Sequence, residues 1–537
     1  VNIDDLTAST VERAALETPD RIAIQDAGGG RITYGELQEL SLRWVQALQR
    51  AGAAPRDRIA LMLTTSASAF TVQLAVGQLG GTVVALNTML RGDLLTRAIN
   101  TTECTVVVTE RDHFDQIATA CADLPRLRSV VLLDSESVPP SSIARDIGSL
   151  QVVSATELLS TAEARSAIPP DLADIQGIIF TSGTTGPSKA VMLSHEFFIR
   201  CARQLIPGGL DARGGAYYSP WPLGHSLGSL ALAAAADRGV RLVLRDKFTV
   251  DQFWRDVRDF DCRTSVLVSV GGALWGAPSR QDDADNPLRY VAVTPLISEY
   301  ARFATRFAVQ VSGLYGATEL GPVLTSDRPA HYKVSGKPAP DYECRLIDAN
   351  GVAVADGIPG ELIVRSSSPR GLMSGYAQRA GSDEPTFPDG WFHTGDLFIR
   401  ESTGDYCFVD RIKDSIRRRG QNISSFEVES EALNHPSVSQ CAALGVPVDF
   451  TSGAPHAEEE VKLFVVLRSG ADLTPAELAE FLKSRLPRYM VPRYLEFCDS
   501  LPTTETTRRP VKAILRDLPN GAATYDRYRS TAPATQP

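Results

Sequence analysis

The chain has 537 residues, 43% apolar and 22% charged, with a formal net charge of −10. That length exceeds what one hydrophobic core serves, so at least two domains are expected, and the composition is that of a globular protein rather than a disordered or fibrous one. The acidic balance excludes a general attraction to nucleic acid or anionic membrane, so a phosphate ligand has to be held by local cations.

Eight cysteines, scattered from Cys104 to Cys498 without a CxxC pair, read as reduced thiols rather than a disulfide framework or a metal site. The stretch Val1 to Asp5 has no basic and apolar leader pattern, and the apolar run Leu227 to Ala236 is too short to span a bilayer. A cytoplasmic location is expected.

In chain order, Ile32 to Leu37 leads into an amphipathic helix ending near Arg50. Apolar runs at Ile59–Leu63, Thr82–Leu86, Thr105–Val108 and Val130–Leu133 alternate with helical stretches, which predicts an α/β fold with largely parallel sheets. Asp134 to Ser142, with Pro139-Pro140, reads as a loop. Gly177–Phe180 and Ala190–Leu193 are short buried strands, and Ser194 caps the helix that follows. Between those strands lies Thr181-Ser182-Gly183-Thr184-Thr185-Gly186-Pro187-Ser188-Lys189. Glycines let backbone N–H groups turn inward as an anion nest, hydroxyls add donors and lysine adds a point charge, so the loop suits a phosphate. It is not a Walker A loop, because no Lys-Ser or Lys-Thr follows the second glycine.

Further on, Trp221 to Gly228 holds a lone histidine, His225, among apolar neighbours. Ser265 to Gly276 reads as a strand running into Gly271-Gly272-Ala273, where small residues either permit close packing or leave room for a ligand. In Val311 to Leu320, Tyr315 offers a flat face to a purine, Gly316 permits close backbone approach, and Thr318 and Glu319 supply the hard oxygens that Mg²⁺ with ATP phosphates takes. Asp396, after Trp391-Phe392-His393-Thr394-Gly395, can accept both hydroxyls of a ribose. The cations at Arg417, Arg418 and Arg419 adjoin Gly420. A strand is expected at Val461–Leu467, and the capping box Thr474-Pro475-Ala476-Glu477 opens a helix that ends by Pro487.

TSGTTGPSK followed by Ser194-His195 resembles the phosphate-loop signature of the adenylate-forming superfamily of acyl-CoA synthetases, adenylation domains and luciferases. The YGATE string at Tyr315–Glu319, the string ending in Asp396 and Asp410-Arg411-Ile412-Lys413-Asp414 extend the resemblance. It implies an α/β chain with a large AMP-binding domain over 1–412 and a small mobile α+β domain over 413–537, hinged at Lys413. It implies nucleotide contacts from Thr181, Ser182, Gly183, Thr185, Gly186 and Lys189, and from Leu314, Tyr315, Gly316, Asp396 and Arg411. Catalytic roles fall to Thr184, Thr318, Glu319 and Arg508, with Glu319 also the Mg²⁺ ligand. The acyl pocket takes Gly224, His225, Gly271, Gly272, Val293 and Thr294, and CoA meets Arg418, Arg419 and Gly420. In the acyl-CoA ligase branch a carboxylate and ATP give acyl-AMP, and the thiol of CoA then displaces AMP.

Three departures stand out. Gly224 precedes His225 where many relatives have a bulky aromatic, which suggests a broad pocket for a large or polycyclic acid. Ala292, Val293 and Thr294 replace two glycines and an alanine. Thr507-Arg508 replaces the Gly-Lys whose ammonium bridges carboxylate and α-phosphate, and a planar guanidinium is a different donor from a compact ammonium. Adenylation is therefore expected to be weak or absent, with thioester formation from preformed acyl-AMP retained. A stand-alone adenylation enzyme loading a carrier protein, and an AMP-binding regulator without catalysis, are the alternatives.

Overall fold

The computed structural model describes residues 1–133, 150–164, 170–181, 188–206, 215–377, 387, 389–418, 421–447, 459–504, 509–516, 518–521 and 523–528. Two large sheets dominate. One has eight strands in the order Gly375–Tyr376, Lys189–Ser194, Ile175–Thr181, Thr82–Ala85, Arg58–Met62, Val106–Glu110, Ser129–Leu133 and Gln151–Ser154. The last six of these run parallel, and all but the outermost are nearly continuous Val, Ile, Leu and Ala, as strands covered on both faces should be. Five of these six are runs expected from the sequence, found within two residues of the expected ends, while Gln151–Ser154 was not among them.

The second sheet has thirteen strands. Its parallel half, Ile22–Asp26, Arg241–Leu244, Ala216–Ser219, Cys262–Val268 and Tyr290–Thr294, ends on Gln310–Ala317. From that strand onward all pairing is antiparallel, through Gly321–Ser326, Val334–Pro338, Tyr406–Arg411, Phe392–Arg400, Gly360–Ser366 and Tyr342–Ile347. The strand carrying Tyr315 therefore lies where the pairing changes sense.

Helices fill the space between the sheets. Tyr34–Arg50 starts with a reciprocal Thr33–Glu36 capping box and buries Leu37, Trp44, Val45 and Leu48 along one face. Ala67–Gln78 is buried at every position from Ala69 to Gln78, which explains its apolar residues all round. The run Leu227–Ala236 becomes part of the buried pair Ser226–Ser229 and Ala231–Arg238. Among the described residues no helix is long and apolar enough to cross a membrane.

From Ile416 onward the chain builds a separate core: a four-stranded sheet of Val438–Pro447, Glu459–Leu467, Tyr494–Phe497 and Thr524–Asp526, covered by helices Ser425–Leu433 and Pro475–Lys483. Thr474 and Glu477 form the expected capping box, and the helix stops before Pro487. The strand expected to run into Gly271 stops at Val268. Ser269 adopts a left-handed φ of +60° and a short helix, Gly271–Trp275, follows. The expected loop Asp134–Ser142 lies outside the described residues.

Candidate active site

Strand pairing positions the groups expected to face a nucleotide. Gln310–Ala317 turns back into Gly321–Ser326, and at Gly316 a Cβ would stand 2.1 Å from the Gly321 carbonyl oxygen, so only glycine fits. The Tyr315 hydroxyl donates to Asp396 Oδ2 at 2.6 Å, and its ring meets Phe398 edge-on at 4.8 Å. Asp396 faces Arg411 across the next strand pair, with Arg411 Nε 3.5 Å from Oδ1. Burial raises the pKa of Asp396 above the usual carboxylate value, against the pull of Arg411 and the Tyr315 bond; burial, then Asp396, holds the Tyr315 phenol well above its ordinary value. The turn bearing Asp396 is pinned by Glu361, whose Oε1 accepts from Gly395 N at 3.0 Å, and by Ile412 N, which donates to the Gly395 carbonyl at 2.9 Å. The expected nucleotide residues Tyr315, Gly316, Asp396 and Arg411 thus come together, with Leu314 half-buried beside them.

Of the phosphate loop, Thr181 and Lys189 are described and pair across its base, Thr181 Oγ1 lying 3.5 Å from the Lys189 carbonyl. Ser182, Gly183, Thr184, Thr185 and Gly186 lie outside the described residues. The Lys189 ammonium sits over the Tyr376 ring at 5.0 Å, and the Tyr376 hydroxyl donates to Glu319 Oε1 at 3.3 Å. Tyr376, on a two-residue edge strand, therefore ties the loop to the carboxylate proposed for Mg²⁺. Glu319 and Thr318 are half-buried and present oxygen donors only, a set that fits Mg²⁺ with ATP phosphates.

Among the residues expected to line an acyl pocket, His225 accepts at Nδ1 from Leu227 N at 3.2 Å, and its ring lies 5.3 Å from Trp221. Burial first, and then the charge of Arg509, push His225 down to about 4, so it is neutral at physiological pH. Of the two readings of Gly271, close packing is the one found: a Cβ there would lie 2.9 Å from Val293 Cγ1. Val293, standing where relatives have glycine, fills the gap that Gly271 leaves. A Cβ on Gly224 would be in ordinary contact with the backbone of Leu86 and Asn87 at 3.4 Å. Thr294 is tied in through its carbonyl, which accepts from Ser269 N at 2.8 Å. Gly272 is exposed, its Cβ position 4.0 Å from Ile297.

The small C-terminal part contributes Arg509. Its Nε donates to Ser269 Oγ at 3.1 Å, and its charge is felt at His225 and Asp396. The residue keeps an exposed surface, yet enough protein surrounds the guanidinium, with Arg411 nearby, to lower it to about 10. Arg508 lies outside the described residues, as do Arg419 and Gly420. Arg418 is a correction. Its side chain is 3% exposed, pairs with Glu460 at 2.6 Å and donates to the Tyr489 carbonyl, so it holds the small core together instead of facing CoA. Around the expected hinge, Asp410 accepts from Ser425 N at 2.5 Å and Ser425 Oγ at 3.1 Å, Lys512 bonds Ser425 Oγ at 2.6 Å and Glu429 at 2.8 Å, and Asp414 pairs with Arg516 at 2.9 Å. Lys413, between these anchors, is lowered by burial and by Arg411.

Sequence reasoning missed Tyr376, Ser269 and Arg509. No local pattern marks the first two. For Arg509 the signal was Pro510, which disfavours helix at the residue before it.

A parallel sheet that turns antiparallel at a Tyr-Gly-x-Thr-Glu strand, facing a carboxylate–arginine pair and a separately folded C-terminal part, defines the adenylate-forming class. Residues 11–377 match the AMP-binding enzyme family and residues 427–508 the AMP-binding enzyme C-terminal domain. The chain belongs to the AMP-binding enzyme family and is an acid–thiol ligase by class. It is 30% identical to the feruloyl-CoA synthase of an Amycolatopsis species over 92% of this chain and 95% of that one. It is 26% identical to the crotonobetaine/carnitine–CoA ligase of Proteus mirabilis over 93% and 95%. In fold it resembles the anthranilate CoA ligase AuaEII solved with anthranoyl-AMP, with a TM-score of 0.83 at 20% identity, covering 96% of this chain and 98% of that one.

Proposed function

We propose that the protein joins a carboxylic acid to CoA through an acyl-adenylate made from ATP. The observation that carries this reading is the convergence of Tyr315, Asp396 and Arg411 on one side and Ser269, His225 and Val293 on the other, with Arg509 between them. Tyr315 presents its ring to adenine while its hydroxyl orients Asp396 toward the ribose. Lys189 and the hydroxyl-rich loop hold phosphates, and Glu319 with Thr318 would hold Mg²⁺, which when bound offsets phosphate charge. Neutral His225 lines the acyl side without adding a charge that would compete for the carboxylate.

In the first half-reaction a carboxylate oxygen bonds the α-phosphorus as the bond to pyrophosphate breaks. In the second the CoA sulfur bonds the acyl carbon, AMP leaves with the electron pair, and the thiol proton passes to solvent. An arginine in place of lysine makes the first half the slower one. Val293 beside Gly271 favours a slender acid, such as a single aryl ring or a straight chain, over a polycyclic one. The test offers ferulate, benzoate, anthranilate and octanoate with ATP and CoA, and separately their synthetic acyl-AMPs with CoA. The expected result is thioester from both, at least about tenfold faster from acyl-AMP given the weaker cation. Equal rates remove the claim about adenylation. No thioester from either removes the ligase reading, and thioester only on the phosphopantetheine of a carrier protein turns it into a carrier-loading enzyme.

A further inference from the structure

We propose that Arg509, and not its neighbour at 508, is the catalytic cation that the C-terminal part brings to the adenylation step. The proposal rests on the ligase reading above and names a residue that the motif alignment passes over. That alignment puts the bridging cation at position 508. The backbone, however, delivers the next residue. Thr503 and Pro510 form an antiparallel bridge. Thr504 N donates to the Arg509 carbonyl at 2.8 Å, Arg509 N donates to Thr504 Oγ1 at 3.1 Å, and Val511 N donates to the Pro502 carbonyl at 2.7 Å. Four bonded or bridged positions thus fix the base from which the Arg509 side chain projects, and Pro510 locks its own φ within that frame.

From there the side chain reaches across to the large domain. Nε donates to Ser269 Oγ, and Ser269 is itself tied to Thr294, so this contact stands on the acyl side. The same charge lies close enough to Asp396, Tyr315 and Arg411 to act on them, and these form the nucleotide side. Arg509 therefore stands at the junction where an acid carboxylate and an α-phosphate have to meet. Its terminal nitrogens, Nη1 and Nη2, bond no described residue. A guanidinium held through Nε still offers a planar pair of N–H groups, one for each of two anionic oxygens.

The charge balance points the same way. Among the described residues Arg411, Lys413 and Arg509 act on Asp396, with His225 neutral, and Lys413 also faces Asp414, which Arg516 pairs. The excess charge therefore falls on Arg411 and Arg509, which repel each other beside Asp396. Two anions arriving together, a carboxylate and a triphosphate, relieve that repulsion. As the new acyl–phosphate bond forms and pyrophosphate departs with its electron pair, negative charge on the α-phosphoryl oxygens is met by a donor already in place.

The experiment compares Arg509→Ala, Arg508→Ala and Arg509→Lys in the full chain, using the acid from the panel above that turns over fastest and its synthetic acyl-AMP. Acyl-AMP formation is followed by pyrophosphate release without CoA, and the second half by thioester formation from acyl-AMP with CoA. Arg509→Ala is expected to slow pyrophosphate release about 100-fold, as loss of one aimed donor does, with thioester formation from acyl-AMP changed by less than about threefold. Arg508→Ala is expected to cost at least tenfold less than Arg509→Ala, and Arg509→Lys to retain part of the rate, on the ground that charge survives while the fork does not. The proposal is overturned if the larger loss falls on Arg508→Ala. It is also overturned if Arg509→Ala slows both halves alike, or if the unaltered protein releases no pyrophosphate while converting acyl-AMP to thioester. That last outcome leaves the ligase reading standing, whereas failure of both halves in the unaltered protein removes the ligase reading itself. Thermal melting of each variant separates loss of the step from loss of the fold.

Discussion

The hydroxyl of Tyr315 donates to Asp396 across 81 residues of chain, at 2.6 Å, so the ring proposed for the base and the carboxylate proposed for the ribose are one rigid unit. Each group needs the other. Without the phenol, the nearest described partner of the Asp396 carboxylate is Arg411 at 3.5 Å.

Tyr315→Phe keeps the ring and removes that bond. AMP affinity, measured by calorimetry, is expected to fall about tenfold, the worth of one hydrogen bond to a charged group. Unchanged affinity would show that Asp396 is positioned by its turn alone.

Val293→Gly should open the space beside Gly271. Relative kcat/KM for a bulky aryl acid against octanoate is expected to rise roughly tenfold, the effect of a few methylenes in an apolar pocket. Gly271→Ala is expected to do the reverse, since the added methyl would press on a stiff β-branched neighbour.

His195 is 4% exposed, its Nε2 has no partner among the described residues, and burial lowers it from 6.5 to about 4. The unfolded chain then binds the proton first as pH falls. Stability is complete above about pH 6.5 and is lost between there and pH 4, by about 3 kcal/mol for this one group. Urea unfolding at several pH values should show the slope, and His195→Gln should flatten it.

Arg418 and Glu460 form a pair with side chains 3% and 6% exposed. Arg418→Met strands a buried carboxylate and is expected to destabilise the small domain by about 3 to 5 kcal/mol, whereas Arg418→Met with Glu460→Leu should recover most of it. Chemical denaturation followed by fluorescence reads both. A neutral single variant would mean that the pair is hydrated.

Much of the fold could be read directly. Short apolar runs rich in Val and Ile fit strands covered on both faces, and the caps at Ser194 and Thr474 lie where their side chains predict. Tyr315, Asp396 and Arg411 were legible because each belongs to a string whose order carries the information. Tyr376 and Ser269 were not, because their positions come from pairing across distant strands. Arg418 misled because a run of arginines beside a glycine reads as one cluster facing a ligand until the strand phase shows which of them points inward. Gly271 was left open between packing and ligand space because a glycine in sequence is silent on whether a neighbour such as Val293 has already taken its space.

Asp410 holds the hinge to the small domain through Ser425, and burial raises it to about 6 despite the charge of Lys512. A swing about Lys413 has to part Asp410 from Ser425, and a carboxyl returned to water regains its ordinary acid strength. The docked arrangement thus keeps a proton that the swung-out one sheds. On the proposed swing, acidifying below about pH 6 tightens the joint and neutral pH releases it, which would couple the turn between the two half-reactions to a proton.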